Sequence, residues 1–395
     1  MKQGWQRKKL GEVCDIIGGG TPSKNKPKFY NGDILWATVR DMNNDVLTQT
    51  QHKITREGLK SSSSNIIPAG EIVVASRVGL GKVCILQYDT AINQDLRGII
   101  PKKSDAVDRK YLFYWLKSQS KKLLEAGRGA TVKGISLPFI KNLLFPYIDI
   151  HEQQQIVSLL DEAFANLDRA QAHIEANLKN AAELFENTLS SIFKNVNQDS
   201  PRLKLSDASV HFGRGRSRHR PRNAPFLYGG TYPFVQTGDI RNCRGAVTEF
   251  KQTYSELGLA QSKLWSKGTV CITIAANIAE TGILQFDACF PDSIIGMVVD
   301  TDIARPDYVE YMLRFFSTDL KEKGKGSAQD NINLGTFEKE TFPFPSIQYQ
   351  SHIVQILQAL DIQCVKLTTS FNLDLQNIAE LRQSLLQQAF AGALT

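Results

Sequence analysis

The chain has 395 residues, of which 42% are hydrophobic and 22% charged, and its formal net charge is +7 at pH 7. Its length exceeds one ordinary domain and its composition is that of folded proteins, so intrinsic disorder is excluded and at least two packed cores are expected. No window offers about 18 uncharged apolar residues and no apolar stretch follows the basic start, which predicts a cytoplasmic protein without a signal peptide or membrane span.

Positive charge is concentrated in the first block of the chain. Residues 1–150 hold 24 Lys and Arg against 13 Asp and Glu, whereas residues 151–198 are net acidic. This asymmetry favours a polyanionic partner, although a solvated basic surface explains the same distribution. The six cysteines form no C-x-x-C pair and have no nearby His, so we expect free, mostly buried thiols and no metal site.

Along the chain, two kinds of sequence pattern alternate. Residues 1–150 and 199–347 mix short β-type runs, such as 269–274, with Gly, Pro and Asn punctuation. Each of these blocks also contains one short amphipathic helix, at residues 108–127 and 305–324, that ends at a Gly. Both blocks are therefore predicted to be α/β (α+β) globular domains.

The remaining blocks, residues 151–198 and 348–395, predict two long helices. A helix of more than 40 residues is about 60 Å long at 1.5 Å per residue, which is longer than a domain of this size. This length favours an antiparallel coiled coil between the two helices. Two ordinary amphipathic helices, each packed on its own domain, are the alternative. The predicted apolar seam consists of Ile156, Leu160, Ala163, Leu167, Ile174, Leu178, Ala181, Phe185 and Ile192, and of Ile353, Leu357, Leu360, Cys364, Leu367, Phe371, Leu375, Ile378, Leu385 and Ala389.

The chain contains an internal repeat, two copies of one unit, with a period near 197 residues. Such a period is too long for a solenoid and suits a domain followed by a helix. The offset is 197 for Glu183 and Glu380, Ile156 and Ile353, Pro146 and Pro343, Gly127 and Gly324, and Gly129 and Gly326. It drifts to 198 for Gly70 and Gly268, Gly98 and Gly296, and Asp41 and Asp239, which predicts equivalent folds with a small loop difference.

Conventional catalytic motifs are missing from the sequence. The segment 79–83, Gly-Leu-Gly-Lys-Val, lacks the spacing and the hydroxyl residue of a nucleotide-binding P-loop. There is no N-P-P-[YF] or D-P-P-[YF] run for a flipped base and no G-x-G-x-x-G after a strand. The six His show no H-x-x-x-H spacing. We therefore expect a chain that is not itself an enzyme.

Several loops have residues suited to nucleic acid. Residues 18–26 combine three glycines with hydroxyl and ammonium donors, and residues 213–220 of the second repeat carry four Arg. A second pair of loops, 127–134 and 324–331, begins G-[RK]-G after a helix; a solvated flexible turn is the alternative for each. The candidate DNA-binding residues are Thr21, Ser23, Lys24, Lys26, Arg40, Arg77, Gln94, Arg128 and Lys133 in the first repeat, and Arg214, Arg216, Arg218, Arg220, Arg241, Asn277, Lys325, Gln329 and Asn331 in the second.

These patterns together resemble the specificity subunits of type I restriction-modification systems. The segments GGGTPSK, GDILWATVRDM and GISLPFIKNLLFPYIDIHEQQQIVSLLDEAF look like the target-recognition domain of that family running into its helical spacer. Its E-Q-Q-x-I-V-x-x-L-D marker matches Glu152, Gln153, Ile156, Val157, Leu160 and Asp161. The second repeat departs, because residues 349–354 lack the Glu and GRGRSRHR replaces the T-P-S loop, but AELRQSLLQQAFAGAL again matches.

The resemblance implies two target-recognition domains, residues 1–150 and 199–347, each reading half of a split double-stranded DNA site. It implies spacer helices at 151–198 and 348–395 that set the distance between the halves and dock two methyltransferase subunits. Adenine methylation with S-adenosylmethionine, and ATP- and Mg²⁺-dependent restriction and translocation by a further subunit, belong to those bacterial or archaeal partners. The resemblance assigns no cofactor to this chain.

Two other functions are compatible with the sequence. A coiled-coil scaffold could organise partner proteins while its globular repeats bind protein or glycan. A split nuclease or methylase site inside the repeats is a third hypothesis, which a conventional motif in either repeat would have supported.

Overall fold

The computed structural model describes residues 4–128, 134–275, 278–324 and 332–394. The chain divides into two compact units, each built from two segments. Unit 1 comprises residues 1–175 and 372–395, and unit 2 comprises residues 176–371. Each unit thus contains the first half of one long helix and the second half of the other, the combination that an antiparallel pair gives.

Unit 1 consists of short strands with helices between and after them. Its strands are β1 (Gln6–Lys9), β2 (Cys14–Gly18), β3 (Tyr30–Ala37), β4 (Val46–Leu47), β5 (His52–Ile54), β6 (Asn65–Ile67), β7 (Ile72–Ala75), β8 (Val83–Leu86), β9 (Thr90–Ile92), β10 (Leu96–Pro101) and β11 (Leu144–Tyr147). Its helices are α1 (Leu10–Val13), α2 (Arg56–Lys60), α3 (Arg109–Ser118), α4 (Ser120–Arg128), α5 (Leu137–Lys141) and the first half of α6 (Ile150–Asp199).

Unit 2 repeats this order of elements. Its strands are β12 (Arg202–Leu203), β13 (Ser209–Arg214), β14 (Tyr228–Phe234), β15 (Gly245–Val247), β16 (Gln252–Tyr254), β17 (Leu264–Trp265), β18 (Val270–Thr273), β19 (Thr281–Leu284), β20 (Ala288–Cys289), β21 (Ile294–Val299) and β22 (Phe342–Pro343). Its helices are α7 (Thr237–Arg241), α8 (Glu256–Ala260), α9 (Pro306–Phe315), α10 (Ser317–Gly324), α11 (Leu334–Lys339) and the first half of α12 (Ile347–Ala391).

The two units have the same sheet topology. A five-stranded sheet runs β2-β10-β7-β8-β4 in unit 1 and β13-β21-β18-β19-β15 in unit 2. A four-stranded sheet runs β5-β3-β9-β6 and β16-β14-β20-β17, and two-stranded sheets pair β1 with β11 and β12 with β22. In both five-stranded sheets the edge strand, β4 or β15, pairs in parallel and the other pairs are antiparallel. The predicted duplication is therefore present in the fold.

Two glycines of the repeat occupy positions where no side chain fits. A Cβ on Gly98 in β10 would lie 2.3 Å from Cδ1 of Ile67. A Cβ on Gly296 in β21 would lie 2.7 Å from the rings of Phe290 and Trp265. The repeat keeps Gly at this place because the second strand of the five-stranded sheet packs closely on the four-stranded sheet.

Each unit buries its own half-helices in its core. In unit 1, Ile156 and Leu160 of α6 and Leu386 and Ala389 of α12 join the cluster around Tyr111. The corresponding cluster in unit 2 contains Phe185 and Phe193 of α6 and Ile353 and Leu357 of α12. Arg382 and Asp168 also form an ion pair of 2.5 Å between the two helices of unit 1. Within each unit the long helices therefore pack on each other as well as on the globular part.

The structure differs from the sequence prediction in two details. Each short amphipathic helix is divided in two, at Gln119 between α3 and α4 and at Phe316 between α9 and α10. At the first break Gln119 N donates to the carbonyls of both Leu116 and Trp115, which tightens the last turn of α3. Leu367, predicted in the helical seam, is 43% exposed, because the seam residues nearest the globular domains carry most of the burial.

The cysteines agree with the expectation from the sequence. All six cysteines are free, and five of them are buried. No helix among the described residues is both long and apolar enough to cross a membrane.

Candidate nucleic-acid interface

Unit 1 has an open groove where five loops and strand ends meet. The groove has a volume of about 670 Å³ and is lined by four of the predicted residues, Thr21, Lys24, Arg40 and Gln94. Three of these residues lie far apart in sequence, and the sheet pairing brings them together. The glycine loop, residues 18–26, follows β2, the turn with Arg40 follows β3, and Gln94 follows β9. The rest of the lining is Tyr30, Trp36, Thr38, Val39, Gln51, His52, Val78, Asn93 and Asp95.

Close backbone packing fixes the glycine loop against the sheet. Gly20 N donates to the carbonyl of Ile92 at 3.0 Å, and a Cβ on Gly19 would lie 2.2 Å from the carbonyl oxygen of Asn93. Trp36 Nε1 donates to the carbonyl of Gly20, and Thr21 Oγ1 contacts Gln94 Oε1. The glycines therefore serve loop packing first, and the polar residues after them are the ones that face the groove.

Arg40 is displayed by a capped turn. It lies in a 3₁₀ turn, Val39–Asp41, in which Asp41 Oδ2 accepts hydrogen bonds from Thr38 N at 2.7 Å and from Thr38 Oγ1 at 2.9 Å. The Arg40 side chain is exposed and makes no hydrogen bond or ion pair to any residue that the structure describes. In unit 2, Asp239 caps the corresponding helix by accepting from Gln236 N at 2.9 Å. This shared cap explains why the sequence repeat keeps Asp at the two positions.

Two arginines extend the positive surface beside the groove. Arg77 is exposed in the hairpin that joins β7 to β8. Arg97 is half-buried, and its Nη1 donates to the carbonyls of Gln94 and Leu96 at 3.0 and 2.8 Å. Burial, together with the nearby charge of Arg77, lowers the pKa of Arg97 from its ordinary value. The charge of Asp95 offsets this lowering in part.

The remaining predicted residues of unit 1 lie outside the groove lining. Ser23 and Lys26 are exposed on the glycine loop, and the Lys26 ammonium lies 5.3 Å from the centre of the Phe29 ring. Lys133 and the side chain of Arg128 are outside the residues that the structure describes. The same is true in unit 2 of Asn277, Lys325, Gln329 and Asn331.

The arginine loop of unit 2, residues 213–220, contains two kinds of arginine. Arg214 and Arg220 donate to carbonyls of their own unit: Arg214 Nε to Asp292 at 2.8 Å, and Arg220 Nη1 to Ser217 and His219. The side chains of Arg216 and Arg218 are exposed and make no hydrogen bond or ion pair to any described residue, although the backbone N of Arg216 donates to the carbonyl of Phe290 at 3.1 Å. The charge of Arg216 does contribute, after burial, to lowering the pKa of Lys263. Arg216 and Arg218 are therefore the two arginines available to an external anion.

Sequence reasoning missed an arginine that orders this loop. Arg222 Nη2 donates to both carboxylate oxygens of Asp292, each at 2.9 Å. Asp292 also carries the carbonyl that receives Arg214. Arg241, the other predicted residue of unit 2, is exposed at the end of α7. The missed groove residues of unit 1, such as Gln51 and His52, gave no sequence signal because they lie outside glycine-rich segments.

Unit 2 also contains a cavity of about 470 Å³ that holds a buried carboxyl group. Glu310 of α9 is 5% exposed, and its Oε1 accepts a hydrogen bond of 3.1 Å from Thr281. Burial raises the pKa of Glu310 to about 7, and the neighbouring charge of Arg314 offsets this only in part. Unit 1 has Phe113 at the position of Glu310, so this carboxyl group is a difference between the repeats.

No group of three or more His, Cys, Asp or Glu that could hold a metal ion occurs within residues 4–128, 134–275, 278–324 and 332–394. The chemistry that the two surfaces present is instead cationic and hydrogen-bonding: guanidinium and ammonium groups beside amides and hydroxyls. Such groups bind phosphates and the edges of bases.

Comparison with known proteins places this geometry in a family. The type I restriction modification DNA specificity domain matches residues 2–184 and again residues 214–377. The MjaIX specificity subunit of the type I restriction enzyme from Methanocaldococcus jannaschii is 25% identical over 383 residues, which cover 89% of this chain and 86% of that protein. The EcoR124I/EcoR124II specificity subunit from Escherichia coli is 35% identical over 162 residues, 39% of this chain and 40% of that protein.

The fold agrees with solved structures. The HsdS subunit from Thermoanaerobacter tengcongensis superposes with a TM-score of 0.65 at 18% identity, covering 100% of this chain and 98% of that chain. With the duplicated family match, these findings confirm the predicted fold class and resemblance. The chain belongs to the type I restriction-modification DNA specificity family, in which it is a non-catalytic specificity subunit.

Proposed function

We propose that each unit reads one half of a bipartite DNA sequence and that the long helices set the distance between the halves. One observation carries this proposal: the two units share one sheet topology but present different residues at equivalent loops. Unit 1 presents Thr21, Lys24 and Gln94, whereas unit 2 presents Arg216 and Arg218. A common scaffold with different contact residues is what two unlike half-sites require.

The chemistry of the two surfaces supports reading as well as attachment. A guanidinium group pairs with O6 and N7 of guanine, and a Gln amide with N6 and N7 of adenine. In unit 1, Arg40 and Gln51 are exposed at the groove, and Lys24 supplies an ammonium group for phosphate. In unit 2 the exposed guanidinium groups of Arg216 and Arg218 favour guanine or phosphate.

Two methyltransferase subunits are the proposed helix partners. Large apolar side chains are exposed at repeat-related places, Leu159 with Ile356 and Leu184 with Leu381, each pair 197 residues apart. Unit 1 thereby exposes Leu159 and Leu381, and unit 2 exposes Ile356 and Leu184. All four are between 40% and 48% exposed. Equivalent apolar surfaces on both units suit two copies of one partner. In this proposal S-adenosylmethionine, ATP and Mg²⁺ are bound by partner subunits.

Methylation mapping tests the proposal directly. The chain is expressed with its methyltransferase, and the methylated motif is read by genome sequencing for the wild type, for Arg40→Ala and for the double variant Arg216→Ala, Arg218→Ala. We expect the first variant to relax one half of the motif and the second to relax the other half. An unchanged motif in both variants, or duplex binding by the wild-type complex that does not weaken with added salt, would favour a scaffold that does not read DNA.

A further inference from the structure

The hairpin between β7 and β8 carries an apolar side chain at the edge of the polar groove in unit 1. Val78 lies at the tip of this hairpin, lines the groove and is 65% exposed. It is the most exposed large apolar side chain among the described residues of unit 1. A single exposed apolar residue is common on protein surfaces, so exposure alone assigns it no role.

Hydrogen bonds and packing fix the hairpin in place. Ser76 donates twice to the carbonyl of Asp95, from N at 2.7 Å and from Oγ at 3.0 Å. Across the turn, Ala75 N donates to Lys82 O at 3.0 Å, and Lys82 N donates to Gly79 O at 3.1 Å. The backbone therefore presents Val78 at a defined position instead of leaving it on a loose loop.

A glycine brings the tip of the hairpin against the turn that displays Arg40. Gly79 has a φ of +64°, and a Cβ there would lie 2.5 Å from Cγ1 of Val39. Val39 directly precedes Arg40, so Val78 is next to the main candidate for base reading. Any larger residue at 79 would push the hairpin away from the groove.

The surroundings of Val78 indicate what it contacts. Cationic residues flank it: Arg77 beside it in the hairpin, and Lys24 and Arg40 along the same groove. Asp95 also lines the groove, and its carboxylate accepts a hydrogen bond from Asn93 Nδ2 at 3.2 Å. The cations outnumber this one carboxylate, so an anion with an apolar group at one place suits the groove. In the major groove of DNA, the apolar group on the edge of the bases is the C5 methyl of thymine.

We propose that Val78 contacts the C5 methyl of a thymine in the half-site read by unit 1. This rests on the proposed DNA-reading function and assigns an apolar contact to that site. Val78 selects thymine against cytosine by burying the methyl group, whereas Arg40 and Gln51 select their bases by hydrogen bonds. The proposal concerns unit 1 alone, since the corresponding turn of unit 2 includes residues 276 and 277, outside the described part.

Uracil scanning tests the contact, because uracil differs from thymine only by the missing methyl. The methyltransferase complex containing the full chain is titrated with duplexes of its methylated motif in which each thymine, in both halves and on both strands, is replaced singly by uracil. We expect one position, in one half only, at which the substitution weakens binding about fourfold, the factor expected for one buried methyl-sized group. A half-site that contains a methylated adenine contains a paired thymine, so the scan always has a position to probe.

Variants assign that sensitivity to Val78. In Val78→Ser the thymine and uracil duplexes should bind equally, and in Val78→Ile the preference for thymine should remain. Leu144→Ser is the control, because Leu144 is 49% exposed on β11 and does not line the groove, and it should keep the wild-type preference. Thermal unfolding of each variant checks that the fold is retained; if Val78→Ser is not folded, Val78→Ala takes its place.

Two results would overturn the assignment while leaving the proposed function intact. One is a wild-type complex that binds its motif but responds to no uracil. The other is a preference for thymine that persists in a folded Val78→Ser or Val78→Ala variant. A wild-type complex that binds no DNA sequence selectively would instead contradict the proposed function itself.

Discussion

Gln153 and Gln350, 197 positions apart, make the same three hydrogen bonds at the starts of the two long helices. Gln153 Nε2 donates to the carbonyls of Ala106 and Ile148, each at 2.9 Å, and its Oε1 accepts from Asp108 N. Gln350 Nε2 donates to Ile303 and Pro345, and its Oε1 accepts from Arg305 N. Both side chains are fully buried. One amide in each unit therefore ties the long helix to the turn that precedes the short helix.

Removing this amide should destabilise the unit that contains it. In Gln153→Ala, two carbonyls and one N–H lose their partner inside the protein, and each buried unsatisfied group costs about 1–3 kcal/mol. We expect a lower midpoint of denaturant unfolding and a free energy of unfolding that is smaller by roughly 3 kcal/mol or more. Gln171→Ala is the control, because Gln171 donates only to Glu175 on the exposed side of the same helix and its loss should cost well under 1 kcal/mol. Equal effects of the two substitutions would show that the buried amide contributes little.

Stability should depend on pH through Glu310. Its carboxyl group has a pKa of about 7 when folded and an ordinary, lower pKa when the chain is unfolded. Between those two pKa values the folded state binds more protons than the unfolded state. The ionisation of Glu310 therefore lowers the free energy of unfolding as pH rises toward 7, and above pH 7 this loss stays constant. Glu310→Gln keeps the shape and cannot ionise. Its gain in stability over the wild type should therefore grow by roughly 2–3 kcal/mol between pH 5 and pH 8.

Calorimetry of the full chain at several pH values measures this gain. Glu322→Gln is the control, because Glu322 is a glutamate of the same unit that is exposed on α10. A difference between Glu310→Gln and the wild type that stays constant from pH 5 to pH 8 would contradict a buried, titrating Glu310.

Lengthening both long helices should lengthen the DNA spacer. Four residues inserted after Glu175 in α6 and four after Phe371 in α12 add about 6 Å of helix. These are the points at which the helices pass from one unit to the other. We expect the unmethylated spacer of the motif to grow by about one or two base pairs, at 3.4 Å each, with both half-sites unchanged. Methylation mapping reads the spacer directly, and an unchanged spacer would contradict the role of the helices as a ruler.

The exposed arginines of unit 2 should contribute more to DNA binding than the ones that are bonded internally. Arg218→Ala removes a cation that no described residue engages, so we expect about tenfold weaker binding and a shallower dependence on salt, by about one unit of slope if it contacts phosphate. The matched control is Arg202→Ala, at the β12 edge, where Arg202 bonds Asn197 and Thr341. Binding is measured by fluorescence anisotropy at several salt concentrations. Equal losses of affinity for both variants would contradict the distinction between exposed and internally bonded arginines.

Two equivalent docking sites predict a stepwise loss of partner subunits. Leu159→Asp or Ile356→Asp places a charge on one exposed apolar surface, which costs a few kcal/mol when that surface is covered. Each single variant should retain one methyltransferase copy and the double variant none, as counted by native mass spectrometry. Val210→Asp is the control, because Val210 is 74% exposed and belongs to β13, not to either long helix. Two retained copies in the double variant would exclude this surface.

Much of the architecture follows from local and repeated patterns. The long helices were predictable because apolar residues at steps of three and four over more than 40 positions suit no other element. The duplicated fold was predictable because Glu183 and Glu380, or Gly98 and Gly296, keep a nearly constant offset. The break between α3 and α4 was not predictable, because it depends on how Gln119 bonds within the last turn and not on a Pro or Gly.

The sequence by itself determined the family, the duplication and the basic loops, since periodicity, repeat offset and motif spacing are read from the order of residues along the chain. Only the tertiary structure decided which loop residues share a groove, because strand pairing brings Thr21, Arg40 and Gln94 together across more than 70 positions. It also decided that Arg214 bonds its own backbone while Arg218 faces outward, and that Glu310 is buried. Burial and partner choice are set by contacts between distant segments, and no local pattern encodes them.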